Sequence, residues 1–457
     1  MGKKQRKRHR FWRKRQPPWD RDFRGQGVIT LLQLIKRLET LVRILWVKAG
    51  KILPVDTGGK IRSYNLLRQL AARHETVLLS YYGGARDLNY EEEIAHHLPG
   101  AVTVHTGAPE AGALQQGLDY LRRLPSRAPY SVTKFTSGKV RRLIADWMKE
   151  RRFDVAVCDF LSASLNFPRV LETPTVLFQH NVESALWKRQ AEHAPDPLRR
   201  VAFRIESAKM LRYEQSAVGR FHHVVAVSEH DREQMKGMTE AERITVVPTG
   251  VDIKKYSANQ EGSSPNGSLV IFLGSMDWEP NIDGVEYFCR DIWPRVQRAV
   301  PEARFRIVGR NPHPQVQRLA SPSIEVTGTV PSVVEHLREA SVVVIPLRIG
   351  GGTRLKIFEA MATGKAVVST TIGAEGLDVH HNQDILLADD AVSFADATIA
   401  LLSDESKRKS FERAAANLAA QYDWAVIARS FEDVLARVAE VSNAPGEVER
   451  LPASVNA

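Results

Sequence analysis

The chain has 457 residues, 43% hydrophobic and 26% charged, which suits a soluble globular protein of two ordinary domains. Most of its net charge of +11 lies in residues 1–25, where eleven Lys or Arg face only Asp20 and Asp22, so the nearly neutral remainder argues against a nucleic-acid-binding body. Two cysteines, Cys158 and Cys289, are too few for a disulfide framework; they read as small buried hydrophobes and fit a reducing cytosol.

Residues 1–40 form a basic extension in which Phe11, Trp12 and Trp19 stand among the cations. It reads as a solvated arm, or as a start placed upstream of the true one, with contact to an anionic membrane as the alternative. No apolar run approaches the roughly 20 residues that a membrane-spanning helix needs. Val28 to Ile35 is short and followed by charge instead of a cleavage site, so no signal peptide is expected. The expected location is cytoplasmic, with the inner membrane surface as a further option.

The next part, 41–230, alternates short apolar strands with helical patterns. Strands are expected at Arg43–Val47, Thr76–Tyr82, Phe153–Cys158, Thr175–Phe178 and His223–Val227, with a Gly-containing turn at Asp56–Lys60 and a helix over Ile61–Ala72. A second series, within 231–422, has strands at Leu269–Leu273, Arg304–Val308, Ile324–Val326, Val342–Ile345, Ala366–Ser369 and Ile385–Leu387. Ile282, Val285, Phe288, Cys289, Ile292 and Val296 share one helix face, and Asn259–Ser268 reads as a surface loop. Asp423 is a good N-cap for a last helix, 423–441, that buries Ile427, Phe431, Val434, Leu435 and Val438; residues 442–457 read as a loose tail. This alternation implies two doubly wound α/β halves with parallel sheets.

The segment that carries chemistry follows the strand at Val342–Ile345. Gly350, Gly351 and Gly352 let a ligand approach the backbone, and a helix opens at Thr353 with Arg354, Lys356 and Glu359 in its first turns. The free N–H groups of a helix start attract anions, and a polyphosphate is the natural candidate. It is not a Walker loop, because Gly364-Lys365 is followed by Ala366 and the glycine required earlier is Glu359. The Glu359 carboxylate could accept hydrogen bonds from both hydroxyls of a ribose. A lone turn of this kind is more often structural, with Glu359 a solvated charge, but the downstream sequence tips that balance.

That sequence, Glu359-Ala360-Met361-Ala362-Thr363-Gly364-Lys365 and then Gly373-Ala374-Glu375-Gly376, resembles the family 4 glycosyltransferases, retaining enzymes of the GT-B fold. The match is close to sugar transferases of bacterial exopolysaccharide clusters. Further matching segments are Pro54 to Asn65, His180-Asn181-Val182-Glu183, Val225 to Glu229, Val246 to Asp252 and Gly274 to Trp278 with Pro280-Asn281. The resemblance implies a GT-B architecture of two Rossmann-like domains facing a cleft, the first on the acceptor side, the second holding the nucleotide sugar, and the terminal helix crossing back to the first. It also implies a cleft role for His180, which could orient a sugar hydroxyl or assist proton transfer.

For the donor the expected residues are Gly58, Gly59, Gly274, Arg348, Gly351, Gly352, Thr353, Arg354, Lys356 and Glu359, with backbone at Thr329 and Val330 toward the base. Two departures stand out. The first acid of the family's Glu–seven residues–Glu motif is Gly351 here. The Arg and Lys that usually follow the first strand of the second domain give way to Ser275 or Met276 and to Asn281, so Arg348, Arg354 and Lys356 are candidate replacements. The expected activity is retaining transfer of a sugar from a nucleoside diphosphate sugar to a glycan or lipid-linked hydroxyl, without cofactor or metal. The rival readings are a catalytically silent GT-B binding protein and a nucleotide-sugar epimerase.

Overall fold

The computed structural model describes residues 41–107, 113–193, 197–257, 267–349 and 355–443. Seven strands build the first sheet: β1 (Arg43–Ala49), β2 (Glu75–Tyr82), β3 (Val102–His105), β4 (Val155–Asp159), β5 (Thr175–Phe178), β6 (His223–Ala226) and β7 (Ile244–Val246). Six build the second: β8 (Leu269–Leu273), β9 (Arg304–Val308), β10 (Ile324–Gly328), β11 (Val342–Ile345), β12 (Ala366–Ser369) and β13 (Leu386–Leu387). Every pairing is parallel, in the orders β3-β2-β1-β4-β5-β6-β7 and β10-β9-β8-β11-β12-β13. Both sheets therefore reverse direction at one point, between β1 and β4 and between β8 and β11. In such doubly wound sheets ligands lie outside the carboxyl ends of the strands at that point.

The first sheet is covered on both faces. Along β1, Ile44 and Trp46 enter one core while Leu45 and Val47 enter the other, the two-residue alternation of a strand buried on both sides. The core containing Ile44 and Trp46 is completed by the far end of the chain. Asp423 Oδ1 accepts from the Ala425 N–H at 2.8 Å and caps the Trp424–Asn443 helix, as expected. That helix buries Ile427, Phe431, Val434 and Leu435 against the first domain, with Val438 half-buried at the edge of the same cluster. Phe431 meets Trp46 at 5.5 Å and Phe178 at 5.1 Å between ring centroids, and Glu432 pairs with Arg73 and His74.

Four expectations need correction. The border at 230/231 falls too early, because β7 pairs with β6 through Val224–Ile244, Val225–Thr245 and Ala226–Val246; the first domain runs to about residue 247. The strand was missed because three residues carry no readable period. β3, four residues long, was missed for the same reason. Gly58 and Gly59 do not lie in a turn but open the Gly58–Ala71 helix. The single helix expected over Ile282–Val296 widens into a π turn at Phe288–Ile292 just before Pro294, whose missing N–H cannot bond to the carbonyl four residues back.

Candidate active site

At the reversal point of the first sheet, β1 and β4 each bring a charge to the carboxyl end of an apolar run: Lys48 and Asp159. Lys48 Nζ lies 2.9 Å from Asp159 Oδ2, with side chains 5% and 0% exposed. Trp46 Nε1 donates to the same oxygen at 2.9 Å. Lys48 also donates to Ser63 Oγ at 3.0 Å, and Ser63 donates onward to the Gly59 carbonyl at 2.9 Å. A buried pair held this way is costly to break, because removing one partner strands the other charge at about 3–5 kcal/mol. Burial alone would raise the Asp159 carboxyl, but the adjacent Lys48 and His180 outweigh it and hold it well below the usual carboxylate range.

His180 follows β5 and is 2% exposed. Its Nε2 stands 2.9 Å from Asp159 Oδ1, although the contact is bent, so neither ring nitrogen has a well-aligned hydrogen-bond partner. Burial pushes the imidazole down to about 3, and Asp159 offsets this only in part, so the ring is neutral at physiological pH. Phe160 stacks on one face at 3.7 Å between centroids and Phe178 leans on the other at 4.3 Å. Phe160 has φ 69° and ψ 151°, a region essentially reserved for glycine, and backbone strain of this kind clusters at functional sites. A Cβ on Gly59 would lie 2.7 Å from the Phe160 ring. The space left by Gly59 is thus filled by Phe160, not open to a ligand as expected from sequence. Beside it the buried Arg62 donates from Nε to Thr249 Oγ1 at 2.8 Å; burial lowers its pKa to about 10, which leaves it charged.

In the second domain Gly274 and Gly309 follow β8 and β9. A Cβ on Gly309 would sit 1.6 Å from the Gly274 carbonyl oxygen, so the two turns meet backbone to backbone. A Cβ on Gly274 would lie 2.6 Å from Asn281 Nδ2 and 3.0 Å from Lys356 Nζ. Lys356 Nζ donates to Asn281 Oδ1 at 2.8 Å and stands 4.5 Å over the Phe272 ring. The ammonium is therefore fixed at the glycine turn, beside the position where the family carries a lysine and this chain carries Asn281. One turn on, Glu359 Oε1 accepts from the Tyr256 hydroxyl at 2.6 Å. Burial, reinforced by Glu359, keeps that phenol protonated and hence a donor.

Arg348 is placed differently. It donates from Nε to Asp283 Oδ2 at 3.0 Å, lies 4.5 Å over the Tyr287 ring and is 43% exposed, so its charge is already matched. Gly351, Gly352, Thr353 and Arg354 lie outside the described residues. Between the two halves runs a cavity of about 540 Å³, lined from both sides by residues including Arg62, His180, Thr249, Phe358 and Glu375. The structure thus brings His180 and Arg62 to the cavity, sets Lys356 and Glu359 on the helix whose Leu355 and Phe358 line it, and leaves Arg348 on an exposed ion pair. Sequence reading missed Lys48, Asp159, Phe160, Arg62 and Tyr256. The one available signal was a charge ending an otherwise apolar strand, as in Arg-Ile-Leu-Trp-Val-Lys-Ala and Val-Ala-Val-Cys-Asp.

Two family models match the chain, Glycosyltransferase Family 4 over residues 57–255 and Glycosyl transferases group 1 over residues 267–404. The chain belongs to the family 4 glycosyltransferases. It is 29% identical over 202 residues to the phosphatidyl-myo-inositol mannosyltransferase of Mycobacterium leprae, a match covering 42% of this chain and 53% of that protein. A 44.6 kDa protein of the cps region of Klebsiella pneumoniae is 25% identical over 135 residues, covering 28% of this chain and 35% of the other. The chain therefore spans about half the length, or less, of these curated relatives. Among solved structures, Anabaena HepE in complex with UDP and glucose superposes with a TM-score of 0.60 at 16% identity, over 86% of this chain and 99% of HepE. That likeness establishes the GT-B fold of this family 4 protein.

Proposed function

We propose that the protein is a retaining glycosyltransferase that moves a sugar from a nucleoside diphosphate sugar to an acceptor hydroxyl in cell-surface polysaccharide assembly. The observation that carries this reading is the placing of Lys356 at the Gly274 turn and Glu359 one turn later, on the helix whose Leu355 and Phe358 line the cavity that His180 also lines. In the proposed complex the donor diphosphate lies against Lys356 and the backbone at Gly274, and Glu359, oriented by Tyr256, accepts from the ribose hydroxyls. The bond from the anomeric carbon to the phosphate oxygen breaks as the acceptor oxygen attacks the same face. The acceptor proton passes to the leaving phosphate, whose developing charge Lys356 stabilises. His180, neutral and a weak base, orients a sugar hydroxyl instead of removing its proton.

The cps-region relative supports the polysaccharide role, and the UDP-bound neighbour supports a nucleotide-sugar donor. Peripheral contact with anionic membrane is proposed from exposed Val201 and Ile205 on the helix that carries Arg204 and Arg212. No helix among the described residues is long and apolar enough to cross a membrane. Metal independence is proposed as well, because Lys356 places an ammonium where the diphosphate would lie. The test is release of nucleoside diphosphate from a panel of UDP-, GDP- and ADP-sugars by wild type and Glu359→Ala, with and without EDTA. One donor should turn over slowly, EDTA should change nothing, and the variant should lose most of the rate. If the variant keeps wild-type kcat/KM, the ribose assignment is wrong.

A further inference from the structure

The Asp159–Lys48 pair does more than satisfy its own charges. We infer that Asp159 is a positioning residue that fixes the Nε2–H tautomer of His180 and so leaves Nδ1 as a bare acceptor facing the first turn of the Gly58–Ala71 helix. This rests on the reading of His180 as a residue of the transferase site.

The two oxygens of Asp159 have separate duties. Oδ2 accepts from Trp46 Nε1 and from Lys48 Nζ, each at 2.9 Å, and has no capacity to spare. Oδ1 faces His180 Nε2 at 2.9 Å. A neutral imidazole has one N–H and one lone pair, and a lone pair at that distance from a carboxylate oxygen would be repelled. The proton therefore belongs on Nε2, even though the contact is bent. Nδ1 lies on the Gly59 side, 3.8 Å from where a Cβ of that glycine would be, and is buried with no partner. A buried acceptor without a donor is costly to leave unpaired, and a sugar hydroxyl that displaced the Phe160 ring edge from the Gly59 side would supply one. Rotation of the ring is blocked by Phe160 and Phe178 on its two faces. The imidazole is preorganised to accept, not to donate.

Asp159→Asn provides the sharpest test. Trp46 and Lys48 both require an acceptor, so the amide oxygen takes the Oδ2 place and the amide NH₂ turns toward Nε2. The NH₂ then demands a lone pair there and drives the proton to Nδ1, the reversed tautomer that disables a Ser-His-Asp triad when its Asp becomes Asn. Nitrogen-15 NMR of His180 should report Nε2–H in the wild type and Nδ1–H in Asp159→Asn. The variant should lose roughly 10- to 100-fold in kcat while its affinity for nucleoside diphosphate is unchanged, because a donor replaces an acceptor at one hydrogen bond. In a His180→Ala background Asp159→Asn should cost no further kcat, and the loss of the Lys48 pair should show only in the unfolding midpoint.

An Nδ1–H wild type overturns the inference even if the variant does not fold, and so does an equal loss from Asp159→Asn with and without His180. If His180→Ala keeps full activity, the placement of His180 in the site fails. The tautomer spectra still decide the Asp159 inference in that case.

Discussion

Of the three cations expected at the donor diphosphate, Arg348 and Lys356 lie among the described residues, and the structure separates them. Lys356→Met keeps an unbranched side chain and deletes the ammonium that stands over Phe272 at the Gly274 turn. A unit charge about 4 Å from a phosphate oxygen at an effective dielectric constant of about 20 interacts by ~4 kcal/mol, an upper bound before desolvation. Hydrogen bonds to charged groups contribute a net ~1.5–3 kcal/mol, so nucleoside diphosphate affinity should fall by roughly 10- to 150-fold. Arg348→Met deletes a guanidinium that is 43% exposed and already engaged by Asp283. An exposed pair contributes ~0–1 kcal/mol, so affinity should change by less than about fivefold. Calorimetric titration with the diphosphate of the active donor, at two salt concentrations, measures both. Equal losses in the two variants, or the larger loss at Arg348, would refute the assignment of Lys356.

Tyr256→Phe removes the donor that orients Glu359 and should raise the donor KM several-fold with little change in kcat, read from initial rates. Gly274→Ala would place a Cβ 2.6 Å from Asn281 Nδ2 and 3.0 Å from Lys356 Nζ. It should cut kcat/KM by at least about tenfold, with a melting temperature shifted by only a few degrees, since overpacking costs ~1–3 kcal/mol. Acid stability should separate the buried His180 from the half-buried Glu183. His180, pushed down to about 3, is neutral in the folded chain while the unfolded chain takes up a proton below about 6.5; stability is therefore lost as pH falls through that window. Glu183, which burial and Glu214 push up to about 7, acts oppositely, contributing stability below about 4.5 that is lost as pH rises toward 7. Unfolding midpoints between pH 7 and 5 should fall less steeply in His180→Gln than in wild type and more steeply in Glu183→Gln. Parallel curves for all three would contradict both assignments.

What the sequence revealed depended on how local each signal was. Leu269–Leu273 and Val342–Ile345 are contiguous apolar runs, Ala366–Ser369 nearly so, Arg304–Val308 alternates charge with apolar residues before Ile307-Val308, and the structure keeps all four limits. Lys356 and Glu359 were legible because the glycines and the helix that carries them adjoin in the chain. The rest of the site depends on distant partners. Lys48 meets Asp159 across 111 residues, Arg62 meets Thr249 across 187 and Tyr256 meets Glu359 across 103. Only strand order brings those pairs together, and local periodicity carries no information about strand order. The role of Gly59 was misread for a related reason: its bare Cα is matched to the Phe160 ring, a neighbour that the sequence places a hundred residues away.

The Trp424–Asn443 helix also governs when the protein can finish folding. Phe431 and its neighbours fill the core beneath Trp46 and Phe178, so the first half to leave the ribosome is born without one of its walls. At about 5–20 residues per second, the stretch between β7 and that helix takes on the order of 10–40 s to synthesise. Through that interval the face carrying Ile44, Trp46 and Phe178 has only Leu66, Leu67, Leu70, Tyr90 and Ile94 to cover it and stays partly open, a natural surface for a chaperone. Truncation before Trp424 should therefore trap nascent chains in that exposed state although every strand of both sheets has been made.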